Sequence, residues 1–192
     1  MAGSLISVPF GVGVAALAGR RIDEAGARVV RFPLGRASAV SRDIAEILVR
    51  DATGLLICSA ACGADLLALE VGFNLGIRCR IVLPYNAIDF RRTSVVDRPG
   101  GWGILYDKMI KDADARGDLV VLNGEVGDEL AYRLANETIV RESVAAAGSK
   151  HAIAIVVWEG KARNPSDATA SFRKLAAAAG LIERTVLTRE VC

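Results

Sequence analysis

The sequence predicts a single-domain α/β protein built on a doubly wound, mostly parallel sheet flanked by helices. Three observations lead there. The chain is 52% hydrophobic but only 5% aromatic, so its apolar content is Ala, Val, Leu and Ile, the mixture of parallel strands covered by helices on both faces. Short apolar runs alternate with stretches of helical period. Residues 54–84 read as one βαβ unit, whose right-handed crossover makes its two strands parallel. With 192 residues, within the roughly 100–200 of one domain, and no repeat or linker, residues 1–192 read as one unit.

Taken in order, Val12 to Ala18 is an apolar run closed by Gly19-Arg20-Arg21, a buried strand and its turn. Ser41 to Arg50 places Ile44, Ile47 and Leu48 on one helical face, with Ser38 or Ser41 as N-cap. Gly54 to Cys58 is the second strand, and the helix after it carries Leu66, Leu69 and Phe73 and stops at Gly76. Arg80 to Pro84 is the third strand. Tyr85 to Gly103, rich in Arg, Asp, Pro and Gly, reads as irregular, and Ile104 to Ala115 as a helix. Asp118 to Leu122 is a short strand, and Asp128 to Ala147 a longer helix with Leu130, Leu134, Thr138 and Val144 as inward positions. His151 to Trp158 is the strongest strand pattern, and Ala168 to Ala179 a final helix ending at Gly180. Such an arrangement is Rossmann-like, and in it ligands sit outside the carboxyl ends of the strands. The loops to search are Gly19–Asp23, Ser59–Asp65, Pro84–Asp97, Asn123–Asp128 and Glu159–Thr169.

Composition excludes several classes. The formal charge is +2 with basic residues spread along the chain, so nucleic acid is not an expected partner. No run approaches the roughly 20 apolar residues of a membrane span, and Met1 to Phe10 lacks a secretion signal, so a cytoplasmic protein is expected. Cys58 and Cys62 have C-x3-C spacing, but Cys79 stands alone in a strand, Cys192 is the last residue and His151 is the only histidine. No second ligand pair exists, so no metal and no cofactor are expected, and the cysteines read as small buried hydrophobes.

Gly11-Val-Gly13-Val-Ala-Ala16 matches G-x-G-x-x-A, but it precedes or enters the first strand instead of joining a strand to a helix, and is set aside. The loop Ser59 to Asp65, with Gly63 and Ala64, is built of small residues and feeds a helix N-terminus, which suits a phosphate. Its structural alternative is a turn at Gly63 capped by Asp65. Arg91, Arg92, Ser94 and Arg98 cluster after Pro84, and guanidinium forks grip phosphate bidentately; they are equally an ordinary solvated loop. Glu159 to Thr169 opens the last helix, where Asp167 and Thr169 are caps or contacts to a ribose or phosphate. Trp158 is read as core.

The order of these loops resembles the SLOG superfamily, the Rossmann-like group that includes Lonely Guy phosphoribohydrolases and DNA-processing proteins. The segments that carry it are Leu17-Ala-Gly-Arg-Arg-Ile-Asp23, Ser59 through Glu70, Ile81-Val-Leu-Pro84, Phe90 through Val95, and Ile155 through Lys161 with Asp167-Ala-Thr169. The pattern is most similar to signalling-associated SLOG domains and covers nearly the whole chain. The resemblance implies a nucleotide-derived ligand near Gly19, Arg20, Asp23, Gly63, Asp65 and the arginines after Pro84, and a homo-oligomer.

Lonely Guy enzymes carry P-G-G-x-G-T-x-x-E, whereas this chain has Pro99-Gly-Gly-Trp-Gly-Ile-Leu-Tyr-Asp107, with Ile104 for Thr and Asp107 for Glu, after a polar loop. The expectation is therefore binding or sensing of a phosphorylated nucleotide-derived ligand at the carboxyl edge of the sheet. The alternatives are a nucleoside monophosphate N-glycosidase, with Asp107, Asp65 and Glu159 as candidate carboxylates, and a protein interaction module.

Overall fold

The computed structural model describes residues 12–150 and 152–190; Gly11, His151 and Cys192 lie outside them. The chain runs β1 (Gly13–Gly19), α1 (Ala37–Arg50), β2 (Thr53–Cys58), α2 (Ala64–Asn74), β3 (Arg78–Leu83), α3 (Ala87–Ser94), α4 (Trp102–Ala115), β4 (Leu119–Val121), α5 (Glu129–Ala147), β5 (Ala152–Trp158), α6 (Ala168–Ala178) and β6 (Ile182–Leu187). The strands form one sheet in the order β4-β3-β2-β1-β5-β6. Every pairing is parallel, which sharpens the expected mostly parallel sheet to an all-parallel one.

Alternation along β1 divides the core. Ala15 and Leu17 point to the layer of α1, α2 and α4, where Ile44, Leu66 and Tyr106 are buried. Val14 and Ala16 point to the layer of α5 and α6, where Ile139 and Phe172 are buried. Two covered faces explain why the central strands read as continuous apolar runs. Because β1 lies between β2 and β5, the winding reverses at β1/β5, the position where a doubly wound sheet opens a crevice.

Four expectations are corrected. The segment read as irregular contains α3, started by the Asn86 side chain, which accepts the Asp89 N–H at 2.9 Å; only Phe90 and Ser94 of this short helix are buried, too few to mark a period. The sequence reading ended without β6, a charged edge strand in which Val186 alone is buried and whose pairing to β5 supplies its stability. The inward face of α5 carries Ala131, Ala135, Ile139 and Ser143, while Leu130, Leu134 and Val144 are exposed and only Thr138 of the expected set is buried. Alanines in the first half of α5 let it approach the sheet closely, and its larger buried apolar residues are Ile139 and Val140. Finally, α1 starts at Ala37 with no side-chain cap, so neither Ser38 nor Ser41 serves as N-cap. Trp158 is core, 7% exposed.

Candidate functional site

A cleft of about 1000 Å³ opens at the carboxyl ends of β1, β2 and β3, between the loop after β1, the loop after β2, the first half of α5 and the segment 163–171. Two glycines set its floor. Gly63 has φ +99°, and a Cβ there would stand 2.7 Å from the Arg20 carbonyl oxygen. At Gly19 a Cβ would stand 2.4 Å from the Ala64 Cβ. Only glycine permits this approach, which is completed by the Ala64 N–H donating to the Arg20 carbonyl at 3.1 Å. The loops after β1 and β2 are thereby stitched together, bringing Arg21 beside Asp65.

One wall is fixed by a buried ionic network. Arg20 donates from Nε to Glu159 at 2.6 Å, from Nη1 to both carboxylate oxygens of Asp167 at 2.7 Å, and from Nη2 to the Lys161 carbonyl at 2.8 Å. The side chains are 3%, 2% and 0% exposed for Arg20, Glu159 and Asp167. Asp167 also caps α6 through the N–H groups of Thr169 and Ala170, and Glu159 accepts from Arg31 as well. Burial raises the Asp167 pKa, but Arg20 and the N–H groups of Arg163 and Ala170 outweigh it and hold the carboxyl well below its usual range. Burial likewise opposes ionisation of Glu159, and Arg20 and Arg31 overcome it. Asp23 pins the far rim by accepting the Arg31 and Phe32 N–H groups, both at 2.9 Å.

Asp65 is different. It sits in the first turn of α2, 7% exposed, and among the described residues accepts only the Ala61 N–H, at 3.1 Å. Burial pushes its pKa up to about 7 against the opposing pull of the Ala61 N–H and the Arg21 charge. The carboxyl occupies the loop that the sequence suggested as a phosphate cradle, and two further N–H groups of that loop are committed: Cys62 donates to the Ser94 carbonyl at 3.0 Å and Ala64 to the Arg20 carbonyl at 3.1 Å. N-cap position of α2 falls to Gly63.

Of the residues singled out from sequence, Gly19, Arg20, Asp23, Ser59, Asp65, Pro84, Ser94, Arg98 and Thr169 line the cleft. Gly63 and Ala64 lie beneath it as packing, and Glu159 and Asp167 act behind it through Arg20. Arg91 and Asp107 are elsewhere, paired with each other on the outer surface at 2.8 and 3.0 Å, and Arg92 pairs with Asp89 at 2.9 Å. Cationic lining comes instead from Arg20, Arg21, Arg31, Arg98, Arg133 and Arg163. Arg133 and Arg163 retain 60% and 47% side-chain exposure, and among the described residues each is paired only through Nε, with Glu137 at 3.9 Å and with Asp167 at 3.3 Å. Sequence reasoning missed Tyr132, Arg133 and Asn136, because the first half of α5 read as a core helix. The Tyr132 hydroxyl is hydrogen-bonded to that of Tyr85 at 2.8 Å, and Asn136 ties α5 to the Ala168 carbonyl at 2.9 Å. Among the described residues no three His, Cys, Asp or Glu side chains gather to hold a metal ion, and no helix is long and apolar enough to cross a membrane.

Fold and cleft together define an α/β protein with a doubly wound parallel sheet and an arginine-lined crevice at its reversal point. No protein-family model matches the chain, and no curated protein is significantly similar to it.

Proposed function

We propose that this cleft binds a phosphorylated, nucleotide-derived ligand, in the manner of the SLOG-type sensing domains that the loop order resembles. The observation that carries the reading is the position and lining of the cleft: it opens where the sheet reverses, and arginines border it from four separate segments. Guanidinium groups match phosphate oxygens bidentately and stay charged at any working pH. A volume of about 1000 Å³ is at the upper end for small-molecule sites and accommodates a dinucleotide-sized molecule. The geometry does not favour an N-glycosidase working through Asp107, whose carboxylate is held by Arg91 away from the cleft.

The test is thermal denaturation against a panel of nucleotides, cyclic nucleotides and sugar phosphates. A ligand at a hundred times its Kd stabilises the native state by about 2.7 kcal/mol, or roughly 5–11 °C in a chain of this size. Arg133→Ala and Arg163→Ala should each reduce the shift. A panel in which no phosphorylated compound moves the midpoint would sink the proposal.

A further inference from the structure

Among the described residues, every other buried acid is matched to guanidinium groups: Asp167 and Glu159 to Arg20, and Asp118 to Arg78 and Arg80. Asp65 has no such partner. Its Oδ2 takes the Ala61 N–H, and its Oδ1 makes no hydrogen bond among the described residues. Two polar atoms, Ser59 Oγ and Arg21 Nε, are buried without hydrogen-bond partners among the described residues, and both residues line the cleft together with Asp65. An orphaned buried polar group is destabilising, and native structures keep few of them. Two such atoms beside an Asp65 oxygen without a hydrogen bond mark this end of the cleft as fitted for a polar ligand.

The surroundings restrict what can meet them. From the loop after β1, Arg21 is the positive charge that reaches Asp65, its Nη2 committed to Asp97 and its guanidinium also facing the Cys62 thiol, which burial keeps protonated; the Arg20 guanidinium is consumed by Asp167 and Glu159. From β2, the Cys58 thiol is kept protonated by burial and by Asp65 itself. From α3 and α5, Ser94 and Tyr132 bring hydroxyls to the cleft, and α5 also brings the charged Glu129 and Arg133. A phosphate offers acceptors alone, and beside an unmatched carboxylate it is repelled. A pair of adjacent hydroxyls offers donors to the carboxylate and acceptors to an N–H and a hydroxyl, the complement of what the three groups lack.

We infer that Asp65, Ser59 and the Arg21 Nε–H form a subsite for the vicinal diol of a ribose, with the phosphates of the same ligand held at Arg133 and Arg163. This rests on the nucleotide reading above and names the part of the ligand that Asp65 recognises. Because the carboxyl keeps its proton up to about pH 7, a diol that needs the carboxylate is bound more tightly as pH rises. The apparent affinity follows the ionised fraction, about tenfold between roughly pH 6 and pH 8.

The experiment is isothermal titration of the full chain with ribonucleoside 5′-diphosphates and their 2′-deoxy counterparts over that pH range. The ratio of the two affinities is the readout, since both members of a pair carry the same titrating phosphates. The ribose form should bind about 10- to 100-fold more tightly at the alkaline end, and the ratio should shrink towards the acid end. Asp65→Asn should remove the pH dependence of the ratio while leaving phosphate-driven binding in place, and Ser59→Ala, which deletes one hydroxyl, should lower the ratio without changing its pH dependence. Equal affinities for both sugars at every pH overturn the diol subsite and leave the nucleotide reading intact, as does a ratio that grows towards low pH or is unchanged in Asp65→Asn. Absence of binding by every diphosphate overturns both.

Discussion

Replacing Asp65 by Asn should stabilise the protein, and only above acid pH. In the folded chain burial raises this carboxyl from 3.8 to about 7; in the unfolded chain it ionises near its ordinary value. Between those two values the folded state binds more protons than the unfolded state, so this group makes stability fall as pH rises. The difference of about three pKa units corresponds to about 4 kcal/mol, absent below pH 4 and fully expressed above pH 7. Asparagine keeps an oxygen for the Ala61 N–H and removes the titration. The variant should therefore match the parent near pH 4 and gain about 1.4 kcal/mol per pH unit up to about pH 7. The gain should level off at roughly 8–16 °C in Tm. Urea denaturation of both proteins at a series of pH values, with Tm from circular dichroism, measures it. A stability difference that stays constant across this range would refute the reasoning, because any benefit would then owe nothing to ionisation.

Other substitutions test the rest of the site. Arg20→Met removes the guanidinium shared by two buried carboxylates, leaving Glu159 to Arg31 and Asp167 to Arg163 and the α6 N–H groups, and should cost about 3 kcal/mol at neutral pH, read from denaturant midpoints; a loss below about 1 kcal/mol would show that the network contributes little. Gly63→Ala forces a side chain into a left-handed conformation and against the Arg20 carbonyl, so a loss of about 2–4 kcal/mol is expected by the same assay. The double substitution Arg91→Ala, Arg92→Ala touches neither cleft wall, and nucleotide affinity by calorimetry should equal that of the parent, whereas Arg163→Ala should weaken it.

Where burial is two-sided, the fold was readable from residue order. The runs in β1, β2 and β5 are apolar at nearly every position because both faces are covered, and their spacing leaves room for one helix each. Reading failed where tertiary contact replaced local pattern. The strand β6 carries the polar run Glu183-Arg184-Thr185 and is held by pairing to β5, and the first half of α5 presents Ala131 and Ala135 to the sheet while Leu130 and Leu134 are exposed. The same division holds for the site. Loops after strands pointed to Gly19, Ser59 and Asp65 through topology alone. The burial and lone hydrogen bond of Asp65, and the diversion of Arg91 to Asp107, depend on distances between segments that no spacing along the chain encodes.

The reversal of winding at β1/β5 also bears on how the protein emerges from the ribosome. Strand β1 is made first, yet its neighbour β5 follows about 130 residues later, a delay of roughly 7–30 s at ordinary elongation rates. During that interval one flank of an apolar strand, Val14-Ala-Ala-Leu17, has no hydrogen-bonding partner, the kind of edge on which chains aggregate. Synthesis of β5 ends this exposure, and the ionic network then joins Arg20 to Asp167. Nascent chains stalled before residue 152 should accordingly be sensitive to protease and retained by chaperones, and those extended past α6 should be released from both.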